Sequence, residues 1–199
     1  MNNNAKYNAQ ISAGSLLLKE SREIARLLSK FPNEEELNQA IFVDNILQKK
    51  STATTKRMTR LIRNRLELMP GKFLEMVANG SVDITTQALL AAAIRHSQLL
   101  GDFIEQVVKE HFRTFNNQLN IKDWKKFLNE CEHIDSSVGD WSESTKKKLG
   151  QVIFRILAEA KYLDSTRSMK ILPIQMFPEV RRYLEETQHT NILRIMEIT

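Results

Sequence analysis

Apolar residues recur at helical spacing along nearly the whole chain. In residues 15–30, Leu17, Ile24, Leu27 and Leu28 fall on one stripe of period 3.6, continued by Phe31. Phe31-Pro32 ends it, because the residue before proline disfavours the α region. Asn33 is placed to cap a second helix whose first turn, Glu34-Glu35-Glu36, suits the positive end of the helix dipole. That helix carries Leu37 and Ile41. After the polar break at Gln48-Lys49-Lys50, Ser51 is an N-cap for a third helix ending before Pro70-Gly71. A short helix around residues 73–77 stops at Asn79-Gly80. Asp83 is expected to cap a long apolar span over residues 85–115, bent or split at Gly101, which forms the central core. Asn120 caps a helix with Trp124, Phe127 and Leu128. Residues 135–140 are the clearest loop. Residues 141–145 open a helix with Leu149, Val152, Ile153, Ile156 and Leu157 on one face. Residues 166–177 lack helical period and leave room for two short strands around Leu172-Pro173. Pro178 starts a helix, and a last one closes near Ile198.

The expected fold is therefore all-α and globular, with room for a short C-terminal β-hairpin, or wing. Three regions are expected to pack as one compact unit: an N-terminal helical subdomain (1–80), a central core (81–134) and a C-terminal subdomain (135–199). Composition agrees: 199 residues with 42% hydrophobic suffice for a real core, while 6 Gly and 4 Pro exclude a turn-dense β fold. The longest apolar run, residues 88–94, falls far short of the roughly twenty residues that a membrane span needs. The polar start, MNNNAKYNAQ, lacks an apolar signal core, and one cysteine, Cys131, excludes an internal disulfide. A cytoplasmic protein is expected.

Charge changes the picture when resolved along the chain. The total is +5, yet residues 49–72 hold eight basic residues (Lys49, Lys50, Lys56, Arg57, Arg60, Arg63, Arg65 and Lys72) against Glu67 alone. That segment carries +7 and the remainder −2; residues 20–44 sum to −3. At about 100° per residue, Lys56, Arg60 and Arg63 lie within about 60° of one another, with Met58, Leu61, Ile62 and Met69 opposite. One face suits a core and the other a polyanion. Arg65 falls in the apolar stripe and is expected to snorkel or to pair with a carboxylate. Ser51, Thr52, Thr54 and Thr55 offer hydroxyls in the first turn, as a recognition helix does.

A second, weaker candidate begins at Ser144 and Thr145, followed by Lys146, Lys147 and Lys148, with Gln151 and Arg155 also off the core stripe. Arg167 and Lys170 would sit on the wing if it pairs. The other chemistry-bearing residues are sparse. The histidines are isolated, and no phosphate-binding glycine loop, metalloprotease or hydrolase motif is present. Asp102 and Glu105 read as a cap or an ion pair. Trp124 and Trp141 stand at core spacing rather than as a base-stacking platform. Neither an enzyme, a cofactor, a metal site nor a small-molecule substrate is expected.

Four blocks resemble a known family: ISAGSLLLKESREIARLL (11–28), DNILQKKSTATTKRMTRLIRNRLE (44–67), TQALLAAAIRHSQLLGDF (86–103) and WSESTKKKLGQVIFRILAEAKYL (141–163). They are similar to BrxA, the small core protein family of type 1 BREX phage-defence systems, from about Tyr7 to the C-terminal helix. One departure is Lys161, where the resemblance leads to glycine in AGYL, so an altered helix C-cap is expected there. The resemblance implies an all-helical fold with two helix-turn-helix-like units, double-stranded DNA as ligand, and action beside a DNA methyltransferase and other BREX proteins. Residues 51–63 and 144–155 are those onto which DNA contact carries over. Two alternatives stay open: a protein-interaction scaffold of the BREX assembly, and an RNA-binding factor of the NusB kind.

Overall fold

The computed structural model describes residues 5–198 and is all-α. In chain order the helices are α1 (Leu18–Leu28), α2 (Glu34–Asn38), α3 (Thr52–Glu67), α4 (Phe73–Asn79), α5 (Val82–His96), α6 (Gln98–Phe103), α7 (Lys109–Arg113), α8 (Ile121–Ile134), α9 (Glu143–Glu159), α10 (Pro178–Glu186) and α11 (Thr190–Met196). Wider π-type turns extend α2 over Gln39–Val43 and join α6 to α7 over Ile104–Val108.

Most starts are where side-chain oxygens can satisfy the free N–H groups of a first turn. Asn33 and Asn120 form reciprocal caps with Glu36 and Asp123, and Ser51 and Ser142 accept from Thr54 and Thr145. Two expectations shift. Ser81, not Asp83, caps α5; Asp83 lies in the first turn. The long apolar span breaks at Ser97 rather than Gly101. Ser97 leaves the helical region (φ −130°, ψ 101°), ends α5 and caps α6 through its hydroxyl, while Gly101 sits inside α6.

Every residue from Thr85 to Ile94 is buried, because α5 is surrounded by α1, α3, α4, α10 and α11. Beside it, Phe103 meets Trp124, Phe127 and Phe154 edge-on at centroid distances of 5.6, 5.2 and 5.8 Å. The α8–α9 contact is tighter still. A Cβ on Gly150 would lie 2.7 Å from Trp124 Nε1, and the indole is fixed by donating that N–H to the Lys146 carbonyl.

No wing forms among the described residues. Leu163 and Ile171 make one isolated antiparallel bridge, and Lys170 pairs with Gln118, outside the segment. Asp164 explains why: its carboxylate accepts from Ser165 N–H, Ser168 Oγ and Lys170 N–H, closing residues 164–170 into a compact turn. The Lys161 expectation also changes. The cap geometry is retained, with Lys161 itself at φ +62° and Tyr162 and Lys161 N–H bonding to the Leu157 and Ala158 carbonyls. Its ammonium reaches Asp83 Oδ1 at 2.8 Å.

The N-terminal segment, residues 5–17, forms a strap containing a 3-10 turn, Gln10–Ala13, packed against both α3 and α9. Tyr7 donates its hydroxyl to Asp102 Oδ2 (2.7 Å) and its N–H to Asp135 Oδ2 (2.9 Å). Asp102 also takes Gln98 and Lys6. Glu105 holds Lys109 and Arg194, so both acids of that pair serve as ion-pair partners. No helix of the described residues is long and apolar enough to cross a membrane.

Two substitutions test this packing. Lys161→Gly relieves a left-handed residue at the cost of an exposed ion pair, and should stabilise by about 0.5–1 kcal/mol, or roughly 1–4 °C in thermal melting. Gly150→Ala should cost about 1–3 kcal/mol by overpacking the Trp124 indole, with a lower midpoint and a changed near-UV aromatic signal.

Candidate nucleic-acid interface

Helix α3 owes its two faces to its sequence period. Thr55, Thr59, Ile62 and Leu66 lie four, three and four residues apart and are buried, joined by Leu61 and Arg65. What remains outside is Ser51, Thr52, Lys56, Arg57 and Arg60, all exposed, with Arg63 and Asn64 half-buried.

The cations predicted for this face divide into two groups. Lys50, Lys56, Arg57 and Arg60 project into solvent with no carboxylate within ion-pair distance among the described residues. Lys49 and Arg63 do not belong with them. Lys49 Nζ lies 2.7 Å from Glu20 on α1. The Arg63 guanidinium is bidentate to Glu34 at the start of α2 (2.8 and 3.2 Å) and also reaches Glu67. That hydrogen bond holds the Glu34 carboxyl below its ordinary pKa and raises the guanidinium. Thr55 is likewise withdrawn: it is 3% exposed and its hydroxyl donates to the Ser51 carbonyl, so it presents nothing to a base edge. Ser51 spends its hydroxyl on the cap, and Thr54 is half-buried; Thr52 faces solvent.

Arg65 neither snorkels nor makes a direct ion pair. It is 2% exposed and donates to the Ser15 carbonyl (2.5 Å) and the Gly14 carbonyl (3.2 Å) of the strap. Burial lowers its pKa to about 10, opposed by the nearby charge of Glu159. Glu159, at the end of α9, in turn accepts from Ser15 Oγ (2.8 Å) and Leu16 N–H (2.9 Å). The strap thereby joins α3 to α9 through one guanidinium and one carboxylate.

On α9, Ser144 and Thr145 hydroxyls lie 2.9 Å from Ser142 Oγ, inside the cap. Lys146 is half-buried and near Glu143 (3.7 Å). Lys147, Lys148, Gln151 and Arg155 are exposed along one side. Arg167 and Lys170 are exposed on the 164–170 turn instead of a wing.

Four residues beside the basic face were not among the candidates. Asn64 shares the side of α3 that holds Arg57 and Arg60, and lines both hollows flanking the helix. Helical arithmetic reaches it, since it lies four residues after Arg60 and seven after Arg57. Gln10 and Ser12 arrive from the strap, which no spacing along the chain reveals. His96, at the C-terminus of α5, joins them; burial and then the Arg65 charge hold its pKa below the ordinary value.

The family comparison agrees with the four blocks of sequence. The BrxA family model matches residues 5–188. The chain belongs to the BrxA family. It is 39% identical over 194 residues to a protein named BREX protein BrxA from Paramagnetospirillum magneticum (strain AMB-1), covering 98% of each. Another so named, from Escherichia coli O9:H4 (strain HS), is 30% identical, with 98% of this chain and 92% of that one covered. In three dimensions the chain superposes on the crystal structure of an uncharacterized protein from Magnetospirillum magneticum with a TM-score of 0.90, at 38% identity, covering 98% of this chain and 100% of that chain. The Arg65-centred strap is the part of this BrxA-family fold that mutation tests most directly. Arg65→Met leaves the buried Ser15 carbonyl and the half-buried Gly14 carbonyl without their donor and should cost about 3 kcal/mol, lowering the thermal midpoint by roughly 6–12 °C.

Proposed function

We propose that this BREX component acts in phage defence as a non-enzymatic binder of double-stranded DNA, in the cytoplasm and beside the BREX methyltransferase. The observation that carries this reading is the exposed side of α3 and its leading edge, where Lys50, Lys56, Arg57 and Arg60 have no carboxylate partner among the described residues. A surface that holds four cations and pairs its acids elsewhere suits a polyanion. Duplex DNA is favoured over RNA because a helix with a basic outer face fits the wide DNA major groove, whereas that of A-form RNA is deep and narrow.

Phosphate neutralisation supplies the affinity in this mechanism, and Thr52 is the residue of the first turn best placed to touch a base edge. A helix-turn-helix unit formed by α2 and α3 is part of this reading. Glu34 of α2 and Arg63 of α3 tie the two helices, although the connection over residues 44–51 is longer than the usual tight turn. Lys147, Lys148, Gln151 and Arg155 on α9 would form the second contact.

The salt dependence of duplex binding measures how many cations take part. Four phosphate contacts on α3 predict a log–log slope of about −3.6 from that helix. Lys56→Ala with Arg60→Ala should weaken binding roughly 10- to 100-fold and flatten the slope by about 1.8. Glu34→Gln with Glu67→Gln should act in the opposite sense, freeing Arg63 of both carboxylates and steepening the slope by about 0.9. No duplex binding at low salt would overturn the DNA reading in favour of a scaffold whose basic face docks an acidic protein. Markedly tighter binding of hairpin RNA would favour an RNA-binding factor.

A further inference from the structure

Between the strap and α3 lies a hollow of about 300 Å³, walled by Gln10 and Ser12 on one side, Arg57, Arg60 and Asn64 on the other, and His96 behind. We propose that this hollow is a phosphate seat: it takes one phosphoryl group, forked between Arg57 and Arg60, with the Ser12, Gln10 and Asn64 side chains donating to the remaining oxygens. The inference rests on the DNA reading only for the source of the phosphate.

Three features point to an oxyanion. No residue lining the hollow is acidic, so nothing inside it competes for the two guanidiniums. His96 lines the back wall with its Nδ1 buried and without a hydrogen-bond partner, so no hydrogen bond from that nitrogen ties the ring away from the hollow. The volume stands at the lower limit of ligand pockets, which suits a phosphate with its sugar and not a larger molecule. Arginine forks match phosphate oxygens in pairs, and residues three apart on a helix project side by side. The neighbouring hollow, of about 260 Å³, shares Arg60 and Asn64 and adds Lys56, but it holds an acid, Glu67, its Arg63 is already bound to Glu34, and much of its wall is apolar Leu37, Ile41 and Phe42.

The seat would also join the strap to the ligand. Gln10 and Ser12 belong to the same 3-10 turn that packs on α9, so a phosphate held there touches both sides of the α3–strap contact.

The test follows the His96 ring signals of the full chain by NMR at fixed low ionic strength. Inorganic phosphate and a short DNA duplex are titrated separately, alongside duplex affinity for two variants. Arg57→Gln with Asn64→Ala alters the seat; Lys56→Ala lies outside it and reports on duplex binding alone. The expected result is a saturable His96 shift with the duplex, about a tenfold affinity loss in the seat variant and a slope flatter by about 0.9. A His96 shift with inorganic phosphate alone, and no duplex binding, keeps the seat and assigns it to free phosphate while the DNA reading fails. Duplex binding weakened by Lys56→Ala but unchanged in the seat variant, with His96 unmoved, overturns the seat and leaves the DNA reading standing. No shift with either probe overturns it outright.

Discussion

A guanidinium with no water around it must be given partners by the protein, and the Arg65 side chain is such a group. It finds them in two main-chain carbonyls of the strap, Gly14 and Ser15. That choice sets the path of residues 5–17, because a carbonyl can accept from Arg65 only if the strap crosses directly over α3. Glu159 then takes the same turn of strap from the α9 side, through Ser15 Oγ and Leu16 N–H. The two helices that carry the basic surfaces are thus fixed to one short segment by opposite charges. Arg65 is closed to solvent, so the exposed basic face of α3 and the support beneath it use different residues of the same helix.

Surface electrostatics follow the same division. Along the chain the protein is dipolar, acidic over residues 20–44 and basic over 49–72. Folding brings these halves together and cancels part of each. Glu20 takes Lys49, and Glu34 takes Arg63. The surviving positive patch is smaller and better defined than the sequence total: four cations on one turn-and-a-half of helix and its leading edge.

Local features were legible in the chain, and features made by tertiary contact were not. Asn33, Ser51, Asn120 and Pro178 marked helix starts because capping depends on two or three neighbouring residues. The split at Ser97 was placed four residues late because Gly101 is the stronger breaker by propensity, while Ser97 can serve as the end of one helix and the cap of the next. The strands expected near Leu172-Pro173 gave way to the turn that Asp164 gathers around itself, a competition between side-chain and ladder hydrogen bonds. On the basic face, Lys56, Arg57 and Arg60 could be placed by helical angle alone. The loss of Lys49 and Arg63 to acids 29 residues away could not.

The anchor at the far end of the strap gives the molecule an internal reporter. Cys131 is 1% exposed, packed against the Tyr7 hydroxyl, and burial raises its thiol pKa to about 11. A thiol in that state is sealed and almost wholly protonated, so alkylation must wait for Tyr7 to leave Asp102. The rate at which a thiol reagent labels the native chain is therefore a clock for how often the strap around Tyr7 lifts from the helices beneath it.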